Sequence, residues 1–385
     1  MIDLQKTLTQ SVQKHGVPSA AAMIGNSDKV IASAFIGSAD PASGKPMALD
    51  SIFQIASMTK AITSLAAMQL VESGKLSLDD PIGAVLPELA EPQVLTGFDA
   101  DDKPQTRTAE TPITLRHLLT HTSGLGYPFT SADMAKAQAS LLGEVVPGTR
   151  AAITSPLMFD PGSDWLYGVS TDYVGFAVEA ASGQNLGDYF EEHIFAPLGM
   201  ADTGFSVTPE KAARRVALHS VAEGGFMPFP LEIGGGDAAE FQSGGGGLYS
   251  TAPDYMRFMQ MVLNRGELDG KRLLSENGIA AMSRNQIGNL RAGYMESVVP
   301  MLAHEIDNFP DMDTKWGLGF LINPETGPNG RAPGSLAWAG IANCYYWIDP
   351  ASGIAGLVLM QYLPFGDERA AAVFEDLEKA AYQAD

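Results

Sequence analysis

The strand-like segments of this 385-residue chain lie near its two ends, and that placement constrains the fold more than any other feature. Close to the start, residues 20–25 and 30–37 flank Asn26-Ser27-Asp28 and read as a hairpin. Toward the end, residues 317–323 and 336–338 flank a Pro/Gly-rich turn at 324–334. Residues 342–348 and 354–362 then flank Asp349-Pro350-Ala351-Ser352-Gly353. Short strands joined by tight turns favour antiparallel pairing over βαβ units. Helical spacing fills the middle, at 58–73, 114–119, 171–181, 186–195 and 253–264. A first helix carries Leu4, Leu8 and Val12 and stops at Gly16-Val17-Pro18, and a last one from about Asp367 aligns Val373, Phe374, Leu377 and Ala381. The expected class is α+β, an antiparallel sheet formed from both chain ends and flanked by helices, with a mainly helical inserted domain. Residues 1–70, 163–205 and 308–385 are assigned to the sheet domain, and 71–162 and 206–307 to the helical one. The polar stretches 98–111 and 223–247 are expected to be loops.

Charge narrows the partners. With 24 Lys and Arg against 45 Asp and Glu, the formal net charge is −21. Phosphate backbones and anionic lipid surfaces are repelled by such a chain, so neither nucleic acid nor membrane is an expected partner. The single cysteine, Cys344, excludes an intrachain disulfide and a Cys-rich zinc site. The start of the chain reads as an amphipathic helix rather than a targeting segment, and the most apolar helical run, 61–71, is too short to span a bilayer. The expectation is a soluble, cytoplasmic protein. Its oligomeric state is not legible.

Chemistry concentrates at Ser57-Met58-Thr59-Lys60. The Ser-x-x-Lys spacing alone is weak, and Ser11-Val12-Gln13-Lys14 has it too. Ser11 and Lys14 lie on a polar amphipathic helix, where both are expected to be solvated. Ser57 instead follows the strand-like run 52–55 and opens a helix apolar nearly all round, the kind normally buried. Residues three apart share a helical face, so Lys60 sits beside the Ser57 hydroxyl. Burial and the positive end of a helix both disfavour an ammonium, which predicts a lysine able to accept the serine's proton. Backbone N–H groups at the same helix end can face a developing oxyanion. The plainer alternative is a capping serine with a lysine reaching to the surface.

Three further segments stand in order with this one: residues 112–125, reading Pro-Ile-Thr-Leu-Arg-His-Leu-Leu-Thr-His-Thr-Ser-Gly-Leu, then Trp165-Leu166-Tyr167-Gly168-Val169-Ser170, then Trp338-Ala339-Gly340. With them the chain resembles the serine β-lactamase/penicillin-binding-protein superfamily, from about Pro18 to Tyr362, and looks most like its family VIII carboxylesterases, which are built like class C β-lactamases. The resemblance implies that Ser57 is acylated, that Lys60 is its proton acceptor or partner, and that Tyr167 relays protons to the leaving group. It places Trp338, Ala339 and Gly340 on a strand edging the site, with the backbone N–H of Ile341 joining that of Ser57 in an oxyanion hole. Which of Lys60 and Tyr167 takes the proton first stays open, because coupled groups titrate as a unit.

The chain departs from the penicillin-recognising pattern at two places. The third motif normally carries Lys-Thr/Ser-Gly for a substrate carboxylate, and Trp338 and Ala339 stand there instead. The tyrosine motif normally ends in Asn, and Val169 stands there. A neutral ester needs neither handle. The expected activity is therefore hydrolysis of short- to medium-chain carboxylic esters, with no cofactor and a small-molecule ester as partner. The alternatives are a β-lactamase, D-amino-acid peptidase or acyltransferase on the same residues, and a non-catalytic scaffold. Tyr127 and Phe129 are expected either to line the acyl pocket or to pack between domains.

Rival motifs are weaker. The Gly-x-Ser-x-Gly elbow of α/β-hydrolases is absent. His117 and His121 are four apart, but Leu118 breaks the zinc pattern, and a role in ending their helix is favoured. Asp99, Asp101 and Asp102 precede Lys103, which spoils a calcium loop. The glycine runs 234–236 and 244–247 lack the residues of a phosphate loop, and close backbone approach near the cleft is the better reading.

Overall fold

The computed structural model describes residues 2–40 and 44–383. Helix α1 (Leu4–His15) begins where the Asp3 side chain accepts from Lys6 N and ends at Gly16 in the left-handed region, φ 70°. Strands β1 (Ser19–Asn26), β2 (Val30–Asp40) and β3 (Lys45–Pro46) follow. The middle of the chain contributes α2 (Thr59–Glu72), α3 (Leu115–Thr120), α4 (Ser170–Ser182) and α5 (Ala252–Leu263). The end returns as β4 (Lys315–Trp316), β5 (Leu321–Asn323), β6 (Ser335–Gly340), β7 (Cys344–Asp349) and β8 (Ile354–Leu359), closed by helix α6 (Glu368–Gln383).

These eight strands form one antiparallel sheet in the order β4-β5-β6-β7-β8-β1-β2-β3. The seam between the two chain ends is β8 against β1, with Met23 opposite Leu357. The period of two divides the side chains cleanly. Ala20, Ala22 and Ile24 join Trp347 and Val358 under α1 and α6, which supply Leu4, Leu8, Val12, Val373 and Leu377. Ala21 and Met23 join Tyr346 and Leu357 on the opposite face, packed on residues of α2 and α5. Each fully buried Leu, Val or Phe there contributes about 1.5–3 kcal/mol. The sheet is thus sandwiched, and α2 occupies the middle of the larger core, buried at eleven of its positions.

Several expectations shift. Residues 317–323 are not one strand: Lys315 pairs with Ile322 across a turn at 317–320. The stretch 98–111 is not a loop but most of a hairpin, Gln93–Phe98 against Pro104–Thr108. It carried no alternating signal because the second strand is solvent-exposed at four of its five positions. Within 223–247, Gly225–Pro228 pairs with His219–Ala222, which in turn lies parallel to Tyr362–Leu363. Among the described residues no helix is long and apolar enough to cross a membrane.

Candidate active site

Ser57 lies in a tight turn rather than in the α-helix proper. Phe53–Gln54 pairs with Tyr249–Ser250, and Ile55 N donates to Leu248 O at 3.0 Å, which anchors the incoming chain. Ala56 then takes φ 45°, a left-handed value that costs a non-glycine residue about 1 kcal/mol or more. A single 3-10 turn, Ala56–Met58, runs straight into α2. The end of β6 abuts this turn so closely that a Cβ at Gly340 would lie 2.4 Å from the Ile55 carbonyl. Only glycine lets the third motif touch the serine turn. The result is a half-buried Ser57 facing a cavity of about 310 Å³.

That cavity brings together Ser57, Tyr127, Phe129, Tyr167, Trp338, Ala339 and Ile341, which the sequence spreads over 285 positions. Tyr127 and Phe129 stack at 5.1 Å along its wall, so they line the pocket. Gly340 stands behind it, against Ile55.

Lys60 is 1% exposed. Its Nζ donates to Gly245 O at 2.7 Å, to Tyr127 Oη at 3.0 Å and to Ser57 Oγ at 3.3 Å. An ammonium has three protons to donate, and here each meets an acceptor. Burial pushes the amine's pKa down, but Tyr127, Tyr167 and Asp172 outweigh it, and Lys60 holds its proton more tightly than an ordinary lysine. The expectation of a lysine shedding its proton is corrected here. Desolvation was legible from the apolar helix; the polar groups arriving from three other segments were not.

Tyr167 reaches the same place from the turn before α4. Its Oη accepts from Trp338 Nε1 at 3.1 Å, and the Lys60 ammonium stands 4.7 Å from its ring centroid. So the tryptophan at the motif's charged position still directs a donor at the tyrosine. Tyr127, the phenol that bonds Lys60 directly, is pushed above the ordinary tyrosine range by burial, and Lys60 only partly offsets this. His121 ends α3 in the left-handed region, φ 59°, and its ring packs 4.8 Å from that of Tyr167. Burial, and then the charge on Lys60, hold His121 well below the usual imidazole range, hence neutral. His117 is occupied in a capping box with Thr114. Among the described residues no group of His, Cys, Asp or Glu is arranged to hold a metal ion.

One acidic residue escaped the sequence reading. Asp172, in the first turn of α4, is 3% exposed and accepts from Ser243 Oγ at 2.6 Å and Gly245 N at 3.0 Å. Its signal was an aspartate just ahead of the mostly apolar run 173–178, five positions after Tyr167. The glycine run 244–247 does make the close approach expected of it, since a Cβ at Gly245 would lie 2.6 Å from Asp172 Oδ2. The other Ser-x-x-Lys pair is far from solvated as a unit: Ser11 is buried and donates to Asp376 Oδ2 at 2.8 Å, because α6 packs across α1. Lys14 is exposed, as expected.

The beta-lactamase family profile matches residues 4–380. The ML-236A carboxylate methylbutanoyltransferase of Penicillium citrinum is 31% identical over 88% of this chain and 82% of its own length. The lovastatin esterase of Penicillium rubens is 32% identical over 82% of this chain and 81% of its own. Among solved structures, simvastatin synthase from Aspergillus terreus superposes with a TM-score of 0.83 at 28% identity, covering 98% of this chain and 97% of that one.

Proposed function

The chain belongs to the beta-lactamase family, as a serine hydrolase or acyltransferase of that fold, and on that premise we propose that it is an esterase of the family VIII carboxylesterase kind. The observation that carries the reading is the fully buried Lys60 donating to Ser57 Oγ behind a cavity walled largely by apolar and aromatic side chains. Among the described residues no lysine or arginine lines that cavity, so no side-chain cation there faces a carboxylate like that of a penicillin. Val169, at the position where an asparagine would bind a β-lactam amide, is buried. A neutral ester of short to medium chain fits.

In this reading Ser57 Oγ attacks the ester carbonyl. Its proton passes to Tyr167 Oη as the tyrosine's own proton goes to the departing alkoxide, so no net charge is lost from the site. Lys60, keeping its proton, stabilises the negative charge gathering on Oγ, and the Trp338 indole N–H stabilises that on the phenol oxygen. The backbone N–H groups of Ser57 and Ile341 receive the carbonyl oxygen, each such donor being worth about 3–4 kcal/mol of barrier. Water then takes the acyl group, with Tyr167 moving protons in reverse.

A second reading, transfer of the acyl group to an alcohol, is favoured by one observation: relatives with about a third of the residues in common are named as acyltransferases. One assay addresses both. Turnover of a short-chain p-nitrophenyl ester is compared with that of a chromogenic cephalosporin, and the ester assay is repeated with a primary alcohol added. The esterase reading expects kcat/KM for the ester to exceed that for the cephalosporin by about 100-fold or more, with free acid as the main product. Acyl-alcohol as the main product selects the transferase, and faster cephalosporin cleavage overturns both.

A further inference from the structure

We propose that Asp172 is a positioning residue of this site, a buried carboxylate that fixes the place and the charge of Lys60 through the backbone of Gly245. The inference rests on the reading of Ser57 and Lys60 as the acyl-transfer pair and adds the group that keeps the pair in its working state.

The connection is continuous. Asp172 Oδ1 accepts from Gly245 N, and the carbonyl of the same residue accepts from Lys60 Nζ. One residue is therefore held from both sides, its N–H by a carboxylate and its carbonyl by an ammonium. Glycine is required for this approach, as the 2.6 Å separation between a hypothetical Cβ and Asp172 Oδ2 shows. The neighbouring residue is clamped as well: Thr63 Oγ1 on α2 donates to Gly244 O at 2.7 Å, and a Cβ at Gly244 would lie 2.9 Å from Thr171 O on α4. The loop thus transmits the position of α4 to the lysine on α2.

The charges agree with the geometry. Three titratable groups act on Lys60: Tyr127 from the segment after α3, Tyr167 from the turn before α4, and Asp172 on α4 itself. His121, also within the field of Lys60, is neutral. Of these Asp172 is the carboxylate, and burial holds the Tyr127 phenol above the ordinary tyrosine range. Burial raises the Asp172 carboxyl above the usual range, and Lys60, Ser243 and the Gly245 N–H pull it back. A buried ammonium and a buried carboxylate would each be costly alone; placed on two sides of one glycine residue, each lowers the cost of the other.

The test is the pH dependence of Ser57 labelling by a fluorophosphonate, from about pH 5 to about pH 10, in the full chain and in Asp172→Asn. Asparagine keeps an oxygen for Ser243 and Gly245 and removes the charge. The unaltered protein should show no alkaline fall up to about pH 10, because Lys60 keeps its proton there. Without the neighbouring anion the ammonium gives it up more readily, and a fall should appear inside the range. The neutral-pH rate should drop about 10- to 100-fold, and kcat for an ester should fall more than KM rises. A labelling rate in folded Asp172→Asn that stays as level toward about pH 10 as in the unaltered protein overturns this inference and leaves the Ser57 reading intact. Absence of Ser57 labelling in the unaltered protein overturns both. Should Asp172→Asn fail to fold by its thermal melt, Asp172→Ser carries the same expected alkaline fall and the same overturning result.

Discussion

Ser11 with Lys14 and Ser57 with Lys60 have the same spacing and the same residue types, the first pair within α1 and the second running from a 3-10 turn into α2. Their surroundings differ in every respect that matters to chemistry. Ser11 is sealed under α6 and bonded to Asp376, while Lys14 projects into solvent at 66% side-chain exposure, 3.5 Å from the same carboxylate. Ser57 opens on a cavity and Lys60 is enclosed behind it, with its donors shared among a serine, a phenol and a carbonyl. In the first pair the serine is inaccessible and the cation is screened by water; in the second the serine is accessible and the cation is not screened. Spacing supplies proximity. Reactivity depends on which member of the pair is buried.

The largest expected contrast is between the lysines. Lys60→Ala should lower kcat/KM for a p-nitrophenyl ester by about 10³- to 10⁴-fold, whereas Lys14→Ala should leave it within about twofold. Similar losses for both would erase the distinction. Next come the tyrosines that flank Lys60. Tyr167→Phe should cost about 100-fold or more, because it removes the proton relay, while Tyr127→Phe should cost about 10-fold, because it removes one acceptor from Lys60. The reverse order, measured as kcat at saturating ester, would assign the relay to Tyr127. A smaller effect separates the carboxylate-anchored Ser11 from catalysis altogether. Ser11→Ala should leave activity unchanged and lower stability by about 1 kcal/mol in denaturant melts.

That last loss should depend on pH. Burial raises the Asp376 carboxyl, but Ser11, His15 and Lys14 together hold it below the ordinary range. A carboxyl depressed in the folded state contributes stability that is present above its unfolded pKa, about 4, and is lost as pH falls through its folded value. The difference in stability between the unaltered protein and Ser11→Ala should therefore be full at neutral pH and shrink below about pH 4. A difference that grew on acidification would contradict this account of the α1–α6 contact.

The sequence disclosed the terminal strands, the buried helix α2 and the candidate residues Ser57, Lys60 and Tyr167, because each is a local signal: alternation, an apolar run, a motif. It concealed what depends on distant segments meeting. The hairpin at 93–108 has too little apolar alternation to register, and Asp172 is unremarkable until Gly245 lies against it. Proton retention on Lys60 is likewise set by groups from other parts of the chain, so desolvation alone gave the wrong sign. Ser11 shows the same limit in reverse, its polar helix face being covered by a helix more than 350 residues later.

The central claim is that Ser57, and not Ser11, carries the acyl group. Intact-mass measurement after fluorophosphonate treatment, followed by peptide mapping, reads this directly. The account predicts one adduct per chain, mapped to Ser57 and lost in Ser57→Ala, with Ser11 unmodified. An adduct on any other residue, or equal labelling of Ser57→Ala, would contradict it.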